Sequence, residues 1–169
     1  MIVLEGTGCS IYNYNRDEFK KDILVDLWKL MEEDGDSDKA LWPFEKHDLV
    51  QFIQYLSDTH NVLFVVYNKE CTDYVGFTWF NEIVPNFKAH TALYIRKKYR
   101  KTLTDEASTL SMDFMFNHFS LTELWSHTPW ENAHKLALRL GFTEIATLPN
   151  YVRLKGVLHN FYISRLKRK

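Results

Sequence analysis

The chain has 169 residues, 46% hydrophobic and 15% aromatic, which suits one domain with a real core and is too apolar for a disordered segment. Lys+Arg 21 against Asp+Glu 22 leaves a formal net charge of -1, and this removes the electrostatic case for nucleic acid as a general partner. No apolar run approaches the ~18 residues that span a bilayer, and Met1-Ile2-Val3-Leu4-Glu5-Gly6 lacks the basic start and long apolar stretch of a signal peptide, so the expected setting is a reducing cytoplasm, away from membranes.

Met1 to Leu4 reads as a short strand closed by the Gly6-Thr7-Gly8 turn. Cys9, and later Cys71, cannot make a disulfide framework or a zinc site, and both are expected to be small buried hydrophobes. Asn15-Arg16-Asp17-Glu18 offers a polar helix start. Phe19, Ile23, Leu24, Leu27, Leu30 and Met31 then recur in steps of three and four, the period of an amphipathic helix. The acidic run Glu32-Glu33-Asp34-Gly35-Asp36 is expected to be a solvated turn, since it lacks metal-ligand spacing. After the aromatic segment Trp42-Pro43-Phe44, a second helix is expected from about His47 to Leu56.

Val62 to Tyr67 is a buried strand by its β-branched and aromatic content. Asn68 to Asp73 turns it into Tyr74–Ile83, where Gly76 marks a bulge or a close approach. Ala89 to Ile95 is the next strand. A long helix is expected to start at Thr102 or Thr104, either of which can cap it, with Asp105 and Glu106 in the first turn and Leu103, Ala107, Leu110 and Phe114 facing inward. Leu121–Trp125 is a strand. Pro129 opens a short helix with Ala133, Leu136, Ala137 and Leu140 inside and Gly141 as its stop. Phe142–Ile145 and Val157–Ile163 are the last strands, and Arg165 to Lys169 reads as a solvated tail. The order predicts a single α/β domain over 1–169, a mixed, mostly antiparallel sheet flanked by helices.

The chemistry concentrates at one place. Strand Leu93-Tyr94-Ile95 runs into Arg96-Lys97-Lys98-Tyr99-Arg100-Lys101, five cations in six positions, and then into the long helix. Unshared amides and the positive end of the helix dipole favour anions there, so a strand, a cationic turn and a helix start suit a phosphate-bearing cofactor. A solvated turn, nucleic-acid phosphate and an acidic partner are the other readings of the same cations.

That order, with Arg100 ahead of the long helix and Asn132-Ala133-His134 to Leu140-Gly141-Phe142 closing the short one, resembles the GNAT family of N-acetyltransferases. In size and style the chain looks most like small acetyltransferase-like proteins of tailed bacteriophages. The resemblance implies acetyl-CoA as acyl donor and an amine acceptor, on a small molecule or a protein. It implies Arg100, Lys101, Thr102, Leu103, Thr104 and Asp105 around the pyrophosphate, Leu93 and Ile95 along the pantetheine, and Asn132 near the pantetheine arm. The family's turn carries two glycines where this chain has Leu103 and Asp105. Counting back from Gly141 instead puts the family's Asn position on Trp130 and its usual tyrosine on Ala137; under either alignment the short helix holds no Tyr. Tyr151 or Tyr162 could donate the proton instead. Those departures favour the alternative of an inactive GNAT-fold binding or structural protein: a virion component, or an inhibitor of a host protein.

Amine acetylation needs a base. His127 is the first candidate, because an imidazole of pKa near ~6.5 suits neutral pH. Glu82, at the end of its strand, is second. His90 is third, one residue out of register with the family's glutamate, so that alternation turns it to the other face. Trp42-Pro43-Phe44 is a candidate wall of the acceptor site or anchor for a partner protein.

Overall fold

The computed structural model describes residues 2–14, 22–37, 48–58 and 60–168. Among them are β1 (Val3–Glu5), β2 (Cys9–Asn13), α1 (Asp22–Glu33), α2 (Leu49–Leu56), β3 (Val62–Asn68), β4 (Tyr74–Val84) and β5 (Lys88–Ile95). A 3-10 turn at Lys97–Tyr99 leads into α3 (Thr104–His118), then β6 (Glu123–Thr128), α4 (Glu131–Arg139), β7 (Thr143–Leu154) and β8 (Val157–Lys167). This is the expected α/β class, mostly antiparallel strands flanked by helices. Two compact units emerge, Met1–Phe80 with Leu93–Ser111, and Asn81–Ala92 with Met112–Lys169. No helix among the described residues is long and apolar enough to cross a membrane.

In the first unit β1, β2, β3 and β4 follow one another as antiparallel neighbours, with Leu4 opposite Ile11, Ile11 opposite Val66 and Leu63 opposite Trp79. Leu63, Phe64, Val65 and Val66 are all buried, so β3 is covered on both faces. Leu24, Leu27, Trp28 and Met31 of α1 are buried, as its periodicity requires. Phe52 of α2 lies between the rings of Trp28 (5.3 Å) and Phe77 (5.6 Å). The Asp48 side chain accepts from the Gln51 amide at 2.9 Å and caps α2. Asn15–Glu18, Phe19, His47 and Trp42-Pro43-Phe44 lie outside the described residues.

Gly76 serves both purposes foreseen for it. Val66 faces Gly76 while Tyr67 faces Tyr74, so Val75 is the extra residue of a bulge. A Cβ on Gly76 would stand 2.0 Å from the Tyr94 carbonyl oxygen, so only glycine lets β4 and β5 pass there.

Three expectations change in this unit. β2 was not foreseen. Cys9 is buried, but Cys71 is exposed in a left-handed turn conformation (φ 54); a turn residue has no core to enter. Neither Thr102 nor Thr104 caps α3, since the Thr104 hydroxyl donates back to the Arg100 carbonyl (2.8 Å). The inner face of α3 is also turned: Ala107, Ser108 and Ser111 are buried, whereas Leu103, Leu110 and Phe114 are only half-buried. The serines fit because Ser108 donates to the Thr104 carbonyl (2.7 Å) and Ser111 to that of Ala107 (2.9 Å).

In the second unit the order is β5-β6-β8-β7. β6 pairs antiparallel with β8 from Glu123 opposite Lys167 to Thr128 opposite Tyr162. Arg165 to Lys167 therefore belong to a strand, not to a solvated tail, and Arg165 lies over the Trp125 ring, 3.6 Å from Glu123. β7 extends far beyond Ile145. Asn150 takes a left-handed φ of 52 at an irregularity, and Lys155 and Gly156, both with positive φ, close the hairpin in two residues. On α4 the expected inner face gives way to His134. Its ring stacks on Tyr162 (4.5 Å) and its nitrogens meet Ser164 Oγ (3.2 Å) and Glu144 Oε2 (2.8 Å), while Ala133 is exposed.

Candidate active site

The basic turn of the first unit is a network of fixed ion pairs. Arg96 donates to Asp73 Oδ1 at 3.0 Å and lies 3.8 Å from Glu33. Lys98 and Tyr99 both donate to Asp73 Oδ2, Tyr99 at 2.9 Å. Burial opposes the charge on Asp73, yet these donors hold its carboxyl below the usual range. Arg100 donates from Nε to the Ile95 carbonyl (2.8 Å) and pairs with Asp36, which is only 4% exposed. Asp34 accepts from the Tyr94 hydroxyl (2.6 Å) and the Lys97 amide (2.8 Å). The acidic run is thus not a solvated turn: two of its carboxylates shape the cationic one. What is left exposed is Lys97, Lys101, Thr102 and Asp105.

The opening of α3 is fixed from its other side. Glu106 accepts from the Thr7 hydroxyl (2.8 Å) and from the amides of Thr7 and Gly8 (3.0 and 3.1 Å for Gly8). Burial raises the Glu106 pKa, and these donors, the Thr7 hydroxyl first, bring it below the ordinary carboxylate value. Leu103, at the family's first glycine position, turns its side chain to Gly8, where a Cβ would meet Leu103 Cδ2 at 2.7 Å. Beside them burial, then the Glu106 charge, pushes the Cys9 thiol up to about 12. It is no nucleophile.

In the second unit the ladder between β5 and β6 is short. It is parallel, and runs only from Lys88 opposite Glu123 to His90 opposite Trp125. β6 continues through Ser126, His127 and Thr128 beyond the last pair. Opposed residues of a parallel pair, and residues two apart on one strand, share a face. His90, Trp125 and His127 therefore stand together. The His90 and His127 rings meet edge to face at 4.3 Å, and Trp125 lies 6.0 Å from His127. The expectation that His90 turns away is overturned; the register to β6 decides its face. Phe161 closes on His127 at 6.1 Å and is stacked in turn by Tyr151 at 5.7 Å.

Glu82 completes this group. It adopts φ 48 inside β4, a left-handed conformation uncommon outside glycine, and its carboxylate comes within 3.6 Å of His90 Nε2. The three base candidates are thus one cluster. Burial first, then the neighbouring His90, pushes the His127 imidazole down to about 4, against the pull of Glu82. Burial also lowers His90, with Glu82 opposing and Lys88 assisting. Both rings are neutral near pH 7 and able to accept a proton. They do not make a metal site: among the described residues no group of three His, Cys, Asp or Glu side chains could hold an ion. Tyr162 and His134 occupy the opposite face of β6 and β8, with α4. Asn132 is exposed on that helix and is not brought to the imidazoles.

A signal for the His90–His127 pair was present in the spacing of His127 two residues after Trp125, but only the β5–β6 register connects it to His90. The carboxylates Asp73, Asp36 and Asp34 carried no signal as partners of the turn.

Comparison with known proteins places these features in a family. No curated protein sequence matches the chain. A model of the acetyltransferase (GNAT) domain matches residues 25–143. A ribosomal-protein-S5-alanine acetyltransferase from Vibrio fischeri is 16% identical at a TM-score of 0.76, over 99% of this chain and 97% of that one. A ribosomal L7/L12 α-N-protein acetyltransferase in complex with coenzyme A is 12% identical at 0.78, over 98% of both chains. Spermidine N-acetyltransferase from Vibrio cholerae is 17% identical at 0.74, over 96% and 95%. These likenesses are of fold; the domain model covers most of the chain, and by it this protein belongs to the GNAT acetyltransferase family.

Proposed function

We propose that the chain, working over 1–169 as one acyltransferase domain, transfers an acetyl group from acetyl-CoA to a primary amine on a protein or a small molecule. The observation that carries this reading is the end of the β5–β6 ladder at His90 and Trp125, with the imidazole of His127 on the stretch of β6 that continues beyond it. Acetyl-CoA supplies a thioester whose carbonyl carbon bonds to the amine nitrogen as the carbon–sulfur bond breaks.

His127 takes the proton that the acceptor nitrogen releases. An imidazole pushed down to about 4 is a weak base for a free ammonium, but the nitrogen becomes far more acidic once it bonds to the carbonyl carbon, so a neutral, buried imidazole suffices at that moment. His90 and Glu82 line up behind it. Tyr151, rather than Tyr162, is the tyrosine on the imidazole face and is the candidate donor to the leaving sulfur.

On the first unit the diphosphate meets the turn 100–105. Arg100 does not reach for phosphate: its guanidinium holds Ile95 and Asp36 and so shapes the turn. Lys97 and Lys101 supply charge, and the amides opening α3 supply donors. The turn fits the group despite its missing glycines because Leu103 is folded onto Gly8. Leu93 and Ile95 offer main-chain groups to the pantetheine, and Asn132 is left with a peripheral role.

Thermal denaturation with acetyl-CoA tests the reading. Ligand bound to the native state alone raises stability by about 2.7 kcal/mol at ~100 times its dissociation constant. Thiol release with an N-terminally free peptide and with spermidine as acceptors then reports transfer. A melting temperature unmoved by millimolar acetyl-CoA removes the transferase and leaves a binding protein on the same fold.

A further inference from the structure

The β7–β8 hairpin has a composition unlike the rest of the chain. From Ile145 to Lys169 there are six Lys and Arg and no Asp or Glu, in a chain whose net charge is -1. The preceding acid, Glu144, is already held by His134. Arg153, Lys155 and Lys167 are exposed. Interleaved with them are exposed apolar side chains: Tyr151 at 66%, Val157 at 59%, and Leu158 and Ile145 nearly as much. The carrier strand, β7, is the last of its sheet, so one edge of its backbone faces away from β8.

An apolar centre with a one-signed rim is the anatomy of a protein interface, and the sign of the rim selects the partner. The arm also leads to the candidate centre within the same unit. Exposed Tyr151 stacks on Phe161, whose ring faces His127, which meets His90. We propose that the β7–β8 hairpin is a docking arm for an acidic polypeptide that carries the acceptor amine, a reading that rests on the transferase function above. A polypeptide fits better than a single-stranded nucleic acid. Ile145, Val157 and Leu158 offer no planar face for bases, which such binders require, whereas a free strand edge can pair with an extended peptide.

The test uses the full chain and three fluorescent probes of about 20 units, read by anisotropy without acetyl-CoA at about 50 and about 200 mM salt. Two are peptides with the same free N-terminus, one continuing in Glu and Asp, the other in Ser and Gln; the third is a single-stranded RNA. The acidic peptide is expected to bind about tenfold tighter than the neutral one at low salt, with the gap narrowing at high salt. The double variant Arg153→Gln, Lys155→Asn should abolish that preference with an unchanged melting temperature, since Asn tolerates the left-handed conformation at 155. Equal binding of the two peptides, tighter binding of the RNA, or a double variant that keeps the preference overturns the proposal; in the last case the cations only guard the strand edge. Acetyl transfer to both peptides without an acidic preference would sink the docking arm and spare the transferase, whereas acidic binding without transfer would do the reverse.

Discussion

The Arg96–Lys101 turn and the His90–His127 pair both gather basic nitrogen in a small space, and the fold treats them in opposite ways. At the turn, carboxylates from three separate segments, Asp34 and Asp36 after α1, Asp73 before β4 and Glu33 in α1, lock guanidinium and ammonium groups in their charged state. At the imidazoles, burial removes the charge, and the one carboxylate nearby, Glu82, is 66% exposed and 3.6 Å away. Fixed cations hold geometry; a neutral ring leaves a lone pair for chemistry. A residue's basicity alone therefore says little about its role, and the comparison can be broken at either end.

The largest effect is expected at the ion pairs. Arg100→Ala removes the partner of a carboxylate that is 4% exposed and frees the Ile95 carbonyl, at a cost of about 3 kcal/mol in urea denaturation. If the variant is as stable as the parent, the pairs are ornaments and the contrast fails. Next in size, His127→Gln should lower kcat about 100-fold, or about 2.7 kcal/mol, with little change in KM. A loss confined to KM would make the ring a binding surface instead of a base.

The pH dependence separates the two regions again. The folded pKa of His127, about 4, lies below the unfolded value near ~6.5, so the unfolded chain binds the proton first and stability falls as pH drops from about 6.5 to about 4, then levels. Asp73 is lowered too. Its stabilisation is complete above the unfolded value near ~3.9 and is lost only as pH falls through the lower folded one. Acid melts should therefore show two stages, and His127→Gln should erase the upper stage alone. Asp73→Asn should erase the lower one, and costs about 2 kcal/mol at neutral pH through its hydrogen bonds with charged donors. A kcat limb near pH 6.5 in the parent would mean that His127 is not desolvated.

Much of this could be read from residue order. Steps of three and four placed α1 and α2, β-branched runs placed β3, and Gly76 announced its own necessity. What escaped did so for physical reasons. β2 is only Cys9-Ser10-Ile11-Tyr12-Asn13, too short and too even in polarity to alternate visibly. β7 is interrupted at Pro149 and Asn150, residues that signal a loop unless a partner strand absorbs the irregularity. His134 looked like the polar side of α4 because its partners, Glu144 and Ser164, come from other elements. His90 was given the wrong face because alternation along one strand carries no information about register to the next. The cations of the turn looked available for phosphate because Asp73 and Asp36 lie 23 and 64 residues from Arg96 and Arg100.

The smallest effect is the one that discriminates most sharply within the turn itself. Lys101 is exposed, next in the chain to an arginine that is committed to Asp36 and Ile95. Lys101→Gln should leave the urea midpoint where it was, since an exposed lysine stabilises a fold by little. It should raise the dissociation constant for acetyl-CoA by about threefold at low salt, because a diphosphate loses one screened charge, and the difference should shrink as salt is added. Arg100→Gln should show the opposite pattern, a lowered midpoint whose size is insensitive to the ligand. If instead Lys101→Gln leaves acetyl-CoA affinity unchanged while Arg100→Gln weakens it without destabilising the fold, then Arg100 exchanges Asp36 for phosphate on binding, and the carboxylate would be a stand-in for the ligand instead of a support for the turn.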